Sequence, residues 1–355
     1  MEKIQIQRTS TPKEKPNAKN LPFGKYFADH MFLMDYAEGQ GWSNPRIVPY
    51  GPFSIEPAAA VFHYAQEIFE GLKAYRTPDG GIQLFRPQEN MQRLNISAER
   101  MCIPQVPEDL ALEGLMALVE VDQDWVPTEA GASLYIRPFL FATEPVIGVR
   151  AALTYTFCII TGPVGSYYAT GISPVKILIE TEDVRAVRGG TGYAKCGGNY
   201  AASIRAGAKA AAAGFSQVLW LDGIHRKYVE EVGAMNVMFK IDGRVITPEL
   251  TGTVLSGITR KSVIDLLRSW DIPVEERPFS VDELIQAAKA GKLEEAWGTG
   301  TAAVISPIGE IAYEGVSYTI NGGETGELTT KLYDNLTGIQ WGTQADPFDW
   351  TLRVC

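Results

Sequence analysis

Three chain reversals restrict this sequence more than any other feature: Thr77-Pro78-Asp79-Gly80-Gly81, Asp222-Gly223 and Asp242-Gly243. Proline presets φ and glycine accepts positive φ, so each site can turn the chain tightly between antiparallel strands. Ile82-Gln83-Leu84-Phe85 alternates behind the first turn. Phe215 to Leu221 and Lys227 to Glu231 flank the second, and Val237 to Ile241 and Val245-Ile246 flank the third. Helical periods are interleaved with these hairpins. Pro87 opens a helix to about Met101, with Met91, Leu94, Ala98 and Met101 on one face. Glu108 to about Asp124 follows, with Leu110, Leu112, Leu115, Leu118 and Val119 as its stripe. Tyr200 to Ala213 is a small-residue helix stopped by Gly214. Further helices run from Ser256-Gly257-Ile258-Thr259 to about Trp270, from the capping box Ser280-Val281-Asp282-Glu283 to about Ala290, and over about Leu328 to Gly338. Tyr26 to Asp35, Ser133 to Ala142, Tyr155 to Thr161, Val175 to Glu180 and most of Leu293 to Ile311 have strand character, whereas Pro45 to Pro57 reads as extended connection. Hairpins mixed with helices in both halves predict an α+β fold.

At 355 residues the chain exceeds one comfortable domain. Gly162 to Pro174 is rich in Gly, Pro, Ser and Tyr and marks the connection. The expected division is a smaller N-terminal domain over 1–165, an interdomain loop over 166–177 and a larger domain over 178–355. A net charge of −10 argues against a nucleic-acid partner. No run approaches the roughly 18 apolar residues of a membrane span, and the polar stretch Met1 to Asn20 lacks the apolar core of a signal peptide. Cys102, Cys158, Cys196 and Cys355 are dispersed, which fits a reduced cytoplasm. The histidines His30, His63 and His225 are equally scattered, so no metal site is expected. No G-x-G-x-x-G opens a βαβ unit, which removes the usual dinucleotide reading.

The chemistry centres on Gly192-Tyr193-Ala194-Lys195-Cys196-Gly197-Gly198-Asn199-Tyr200, where one lysine stands among glycines without another charge. A lysine in a compact, apolar setting loses part of its preference for the charged form and becomes a usable nucleophile or base. Other stretches suit a cofactor with an aldehyde, a pyridine nitrogen and a phosphate. Lys195 suits the aldehyde, and Glu230 or Glu231 a protonated ring nitrogen. Strand alternation lets only one of these two glutamates face the ring. Gly257-Ile258-Thr259 at a helix start, Arg93 and the Thr301 hydroxyl suit a phosphate.

Six blocks then occur in one order: Phe69-Glu70-Gly71-Leu72-Lys73-Ala74-Tyr75, Leu84-Phe85-Arg86-Pro87 with Asn90-Met91-Gln92-Arg93, Tyr135-Ile136-Arg137-Pro138, Lys195-Cys196-Gly197-Gly198-Asn199-Tyr200, Glu231-Val232-Gly233-Ala234-Met235-Asn236 and Gly300-Thr301-Ala302-Ala303. From about Tyr26 onward the chain resembles the branched-chain amino-acid aminotransferases, class IV (fold type IV) pyridoxal 5′-phosphate enzymes. The resemblance implies a two-domain fold like that of D-amino-acid aminotransferase, with the active site at the domain interface. It makes Lys195 the Schiff-base lysine and proton shuttle, Tyr200 the partner of the ring oxygen, and Glu231, rather than Glu230, the partner of the ring nitrogen. Arg93, the backbone of Ile258 and Thr259, and the Thr301 hydroxyl match the phosphate cup. Tyr64, Phe69, Tyr135 and Tyr167 would line the side-chain pocket, and Arg137 would contact the distal carboxylate of glutamate. The Thr301-Ala302-Ala303 turn would present N–H groups to the α-carboxylate. Ile147 and Val149 would reach into the active site of a partner copy, since family members are at least dimers.

The implied reaction is reversible amino transfer between leucine, isoleucine or valine and 2-oxoglutarate. D-amino-acid aminotransferases and aminodeoxychorismate lyases share the fold, and Tyr135-Ile136-Arg137 with Phe69-Glu70-Gly71 favours the branched-chain reading. Two departures stand out. Ala303-Val304-Ile305-Ser306 occupies the place of a redox Cys-x-x-Cys found in mammalian members, so that switch is expected to be absent. Ala234 stands where some members carry threonine.

Overall fold

The computed structural model describes residues 3–18, 21–165 and 172–355. They form two compact units. The first takes the described residues up to 165 together with Ala194–Gly197 and Gly338–Cys355; the second takes the chain from 172 to Tyr193 and Gly198–Thr337.

The first unit is built on β1 (Gln5–Ile6), β2 (His30–Ala37), β3 (Gly41–Pro49), α1 (Ala60–Tyr64), β4 (Glu67–Phe69), β5 (Leu72–Arg76), β6 (Ile82–Phe85), α2 (Pro87–Arg100), α3 (Glu108–Val121), β7 (Ser133–Ala142) and β8 (Thr154–Val164). Its sheet runs β1-β3-β2-β8-β7-β5-β6 and ends on a C-terminal strand, Thr351–Arg353, with β4 paired to β7. All pairings are antiparallel except β1 on β3. The α2 and α3 stripes pack on this sheet: Met91, Leu94, Ala98, Leu115 and Leu118 share a core with Phe32, Ile68, Leu84 and Phe157. Burying such side chains stabilises at about 25 cal/mol per Å².

Two expectations need correction here. Pro45 to Pro57 is not all connection, because Gly41–Pro49 is a strand. The β2–β3 register shifts between Leu33 and Asp35, and Asn44 beside Pro45 takes φ 56°, so a bulge accommodates the proline that a regular ladder would exclude. Nor does 178–355 form one domain. Thr351 lies opposite Phe85, and the Gln83 amide donates to the Ile339 and Gln340 carbonyls at 2.9 and 3.0 Å, which ties the C-terminal segment into the first unit.

The second unit comprises β9 (Val175–Ile179), α4 (Gly197–Ala201) but for its first residue, α5 (Ile204–Ala212), β10 (Gln217–Leu221), β11 (Val229–Val232), β12 (Met235–Ile241), β13 (Arg244–Thr247), α6 (Ile258–Ser269), β14 (Val274–Glu276), α7 (Val281–Lys289), β15 (Leu293–Gly300), β16 (Val304–Tyr313), β17 (Val316–Thr319) and α8 (Glu327–Gln340) as far as Thr337. The sheet order is β11-β10-β9-β16-β15-β12-β13-β14, with β17 on β16. An added β11–β12 pairing closes six of these strands into a ring around Ile177, Leu219, Val237, Phe239 and Ile308. Because β9 starts at Val175, regular structure begins inside the expected connection; its residues 166–171 lie outside the described residues.

Asp242 and Gly243 take φ 48° and 74°, the two-residue turn that their sequence implies. The Asp222 reversal is longer. The Asp222 carboxylate accepts four backbone N–H groups, from Ile224, His225, Lys227 and Tyr228, at 2.7–3.1 Å, and organises a wider loop. The Ser280 hydroxyl accepts the Glu283 N–H at 3.1 Å, which completes one limb of the capping box. The expected helix over 200–213 is broken at 202–203, where the Ser203 hydroxyl bonds the Tyr200 carbonyl at 2.7 Å in place of a regular turn.

Candidate active site

In the first unit the Lys195 turn is held by its main chain. The Lys195 N–H donates to Ser97 Oγ at 2.9 Å, the Phe69 N–H donates to the Lys195 carbonyl at 2.9 Å, and the Gly197 N–H donates to Glu67 Oε1. A Cβ at Gly197 would stand 2.3 Å from that oxygen, so glycine lets the turn close on Glu67 without displacing its carboxylate. Ser97 is itself fixed, since its hydroxyl donates to the Arg93 carbonyl at 3.0 Å.

Alternation along β4 and β7 then assembles the surroundings of the amine. Lys195 Nζ lies 4.7 Å from the Phe69 ring centroid, and Arg137 Cζ lies 4.7 Å from the same ring. Arg137 Nη2 donates to the Tyr135 hydroxyl at 2.8 Å, while its Nε is buried without an acceptor. The Tyr135 hydroxyl occupies the space that a side chain at residue 71 would fill, 2.3 Å from a Cβ built there, which accounts for Gly71. Lys195, Phe69, Tyr135 and Arg137 are thus brought together. Tyr64 is half-buried at the end of α1 and packs on the same unit's core. Ile147 and Val149 are 71% and 86% exposed on the loop after β7. Tyr167 lies outside the described residues.

Arg93 has a partner that the sequence did not indicate. Its Nε and Nη2 donate to the two oxygens of Glu70 at 2.7 and 2.9 Å, and the Asn90 amide adds 2.7 Å. Burial by itself would push the Glu70 carboxyl up. The Arg93 charge and hydrogen bond, the Lys195 charge and Asn90 outweigh it and hold Glu70 below the usual carboxylate range. The edge of Arg93 expected to serve a phosphate is therefore not the Nε–Nη2 edge. Lys73, in the same motif, is buried, and desolvation lowers its amine to about 8.

In the second unit Glu231 is buried on β11. Its Oε1 accepts the Leu255 N–H at 2.7 Å, with the Asn236 amide at 3.5 Å, and its Oε2 lies 3.1 Å from Arg185 Nε. Asn236 also donates to the Leu255 carbonyl at 2.8 Å, and its Oδ1 would be 1.9 Å from a Cβ at residue 257. Glycine there lets Glu231 and the start of α6 share one neighbour. That helix start, Gly257 ahead of Ile258 and Thr259, has no side-chain cap and no acidic residue in its first turn. The free N–H groups of such a helix start are the kind that bind an anion. Thr301, Ala302 and Ala303 form the β15–β16 turn, and the next residue, Val304, takes φ 62°. A β-branched residue there stores strain of order 1–3 kcal/mol, a mark of a turn shaped for use. Tyr200 is half-buried on α4.

In the first unit the half-buried Lys195 and the Arg137 Nε without an acceptor suit an aldehyde and a carboxylate; in the second, the buried Glu231 and the uncapped start of α6 suit a pyridine nitrogen and a phosphate. Glu67, Glu70, Ser97 and Arg185 were not singled out from sequence. Glu67 and Glu70 stand in or beside a block that carries the resemblance, but nothing local marks Arg185 or Ser97. Among the described residues no cluster suits a metal ion, and no helix is long and apolar enough to cross a membrane.

Residues 67–311 match the family model for amino-transferase class IV. A branched-chain-amino-acid aminotransferase of Bacillus subtilis (strain 168) is 58% identical over 351 residues, 99% of this chain and 97% of the relative. The Escherichia coli branched-chain amino acid aminotransferase structure superposes with TM-score 0.77 at 25% identity, covering 92% of this chain and 99% of the other. The T.th. enzyme of that name, complexed with N-(5′-phosphopyridoxyl)-L-glutamate, gives 0.74 at 25% identity, covering 91% and 98%. The chain belongs to the class IV aminotransferases and, within them, to the branched-chain-amino-acid aminotransferase family.

Proposed function

We propose that this enzyme carries pyridoxal 5′-phosphate on Lys195 and moves an amino group reversibly between leucine, isoleucine or valine and 2-oxoglutarate, as a cytoplasmic homodimer or larger assembly. When bound, the cofactor supplies an aldehyde for amine exchange and a protonated ring that accepts the electron pair left at the substrate Cα. Lys195 takes the α-proton and returns it. Glu231 holds the proton on the ring nitrogen, and the Tyr200 hydroxyl meets the ring oxygen. The N–H groups of Ile258 and Thr259, the Thr301 hydroxyl and Arg93 hold the phosphate. The Thr301–Ala303 turn receives the α-carboxylate. Tyr64, Phe69, Tyr135 and Tyr167 wall the side chain, and Ile147 and Val149 serve the pocket of the partner copy.

One observation carries the substrate assignment: Phe69 has the Lys195 amine and the Arg137 guanidinium at 4.7 Å each. An apolar wall with an arginine edge suits leucine through its ring and glutamate through its cation. A carboxylate among aromatic rings without a partner would be costly, and Arg137 Nε has a donor to spare. The glutamate adduct complexed with the T.th. relative supports the same pairing.

Single-turnover kinetics of the two half-reactions test it. Arg137→Met should weaken glutamate and 2-oxoglutarate about ten- to a hundredfold, the worth of a charge-assisted hydrogen bond, and leave leucine little changed. Equal losses would make Arg137 structural. A panel including D-amino acids separates the related activities: turnover of D-alanine above L-leucine would refute the branched-chain assignment.

A further inference from the structure

Glu230 and Glu231 are consecutive on β11, and both are buried, at 5% and 3% exposure. Buried carboxylates at adjacent strand positions do not both ionise cheaply, and the Glu231 charge works against ionisation of Glu230. Their surroundings separate them. Glu231 has Arg185 at 3.1 Å from one oxygen and the Leu255 N–H at 2.7 Å from the other. Glu230 has the Thr253 hydroxyl at 2.5 Å on Oε1, while its Oε2 is buried without a partner. An ionised carboxylate with a bare buried oxygen costs more than a protonated one. Burial drives the Glu230 carboxyl above its ordinary value, against opposing pulls from Thr253 and Arg185 and reinforced by the Glu231 and Asp222 charges.

Arg185 is buried too, at 8% exposure, and it is anchored from behind. Its Nη2 donates to the Gly192 carbonyl at 3.1 Å and to the Thr253 carbonyl. A Cβ at Gly192 would meet Ala186 Cβ and the Thr253 carbonyl at 2.6 Å, so glycine lets these segments close around the guanidinium. With Nη2 fixed, Nε lies 3.1 Å from Glu231 Oε2. It is placed as an ion pair rather than as an aligned hydrogen bond.

Resting on the reading that Glu231 holds the ring-nitrogen proton, we infer that Arg185 is a positioning residue that keeps Glu231 ionised and oriented, while Glu230 stays a neutral acid. Arg185 touches neither cofactor nor substrate in this account. It acts through Glu231, and the Thr253 segment links the Glu230 carboxyl to the same guanidinium.

Arg185→Gln, Arg185→Lys and Glu230→Gln test this in apoenzyme and holoenzyme. The readouts are the dissociation constant for pyridoxal phosphate titrated into apoenzyme, the pH dependence of the bound cofactor's absorbance, and kcat against KM for leucine. Arg185→Gln should weaken cofactor binding and lower kcat, each about ten- to a hundredfold, with the absorbance transition displaced and KM for leucine nearly unchanged. Arg185→Lys keeps the charge without the fork and should recover part of each loss. Glu230→Gln, an isostere of a protonated glutamate, should match the wild type. Wild-type affinity, kcat and absorbance profile in Arg185→Gln overturn the inference; if that variant does not fold, the same result in Arg185→Met, which also removes the charge, does so. A Glu230→Gln loss as large as that of Arg185→Gln also overturns it, because Glu230 would then be the ionised partner. The parent reading fails separately, by a Glu231→Gln variant of normal activity.

Discussion

The two units grip their chemical groups in opposite ways. In the first, Lys195 is held through its main chain, by Ser97, by the Phe69 N–H and by the Glu67 contact to Gly197 two residues on. In the second, Glu231 is held through its side chain, by the Leu255 N–H, Asn236 and Arg185. The difference suits the roles proposed for them: an amine that is to exchange partners and carry a proton needs a fixed base, and a carboxylate that is to stay charged against a ring nitrogen needs its oxygens fixed and its charge offset.

The side-chain grip should be the more costly to break. Glu231→Gln is expected to bind cofactor yet lose on the order of 10²–10³ in kcat, since an amide does not hold the ring proton. A steady-state assay with leucine and 2-oxoglutarate measures it, and a loss below about tenfold would place the ring partner elsewhere. The main-chain grip is shared among three contacts, so deleting one should matter less. Ser97→Ala removes a neutral acceptor at 2.9 Å and leaves a part-buried N–H unsatisfied. It should cost about 1–3 kcal/mol in thermal or denaturant stability and only a few-fold in kcat. A Ser97→Ala effect on kcat rivalling that of Glu231→Gln would erase the distinction.

Much of this contrast could be read in the sequence, and the part that could not has a physical reason. Local features were sufficient for α2, the Ser280 capping box and the Asp242-Gly243 turn, because each depends on residues a few positions apart. Lys195 stood out among its neighbours, and Phe69, Tyr135 and Arg137 came from the resemblance; the first unit places Lys195 and Arg137 against the Phe69 ring and Arg137 against the Tyr135 ring. The supporting residues were silent for the opposite reason. Ser97 is one polar residue on a helix 98 positions from the lysine it holds. Arg185 lies on an irregular segment with no period, and its meaning appears only when the Glu231 strand folds against it. The Pro45 strand and the C-terminal strand were missed because a bulge and a distant edge pairing leave no short-range signal. The Arg93 pairing to Glu70 was missed although both residues stood in quoted blocks, since sequence order does not show which edge of a guanidinium is taken.

The central claim is that Lys195 is the residue that carries the cofactor. Lys73 is the informative competitor: it is buried in the same unit, and its amine, lowered to about 8, is substantially neutral at mildly alkaline pH. Borohydride reduction of the cofactor-loaded enzyme at pH near 8, followed by peptide mass mapping, distinguishes them directly. A pyridoxyl adduct on Lys195, with Lys73 unmodified, is the result this account predicts. An adduct on Lys73, or on any lysine but Lys195, would contradict it.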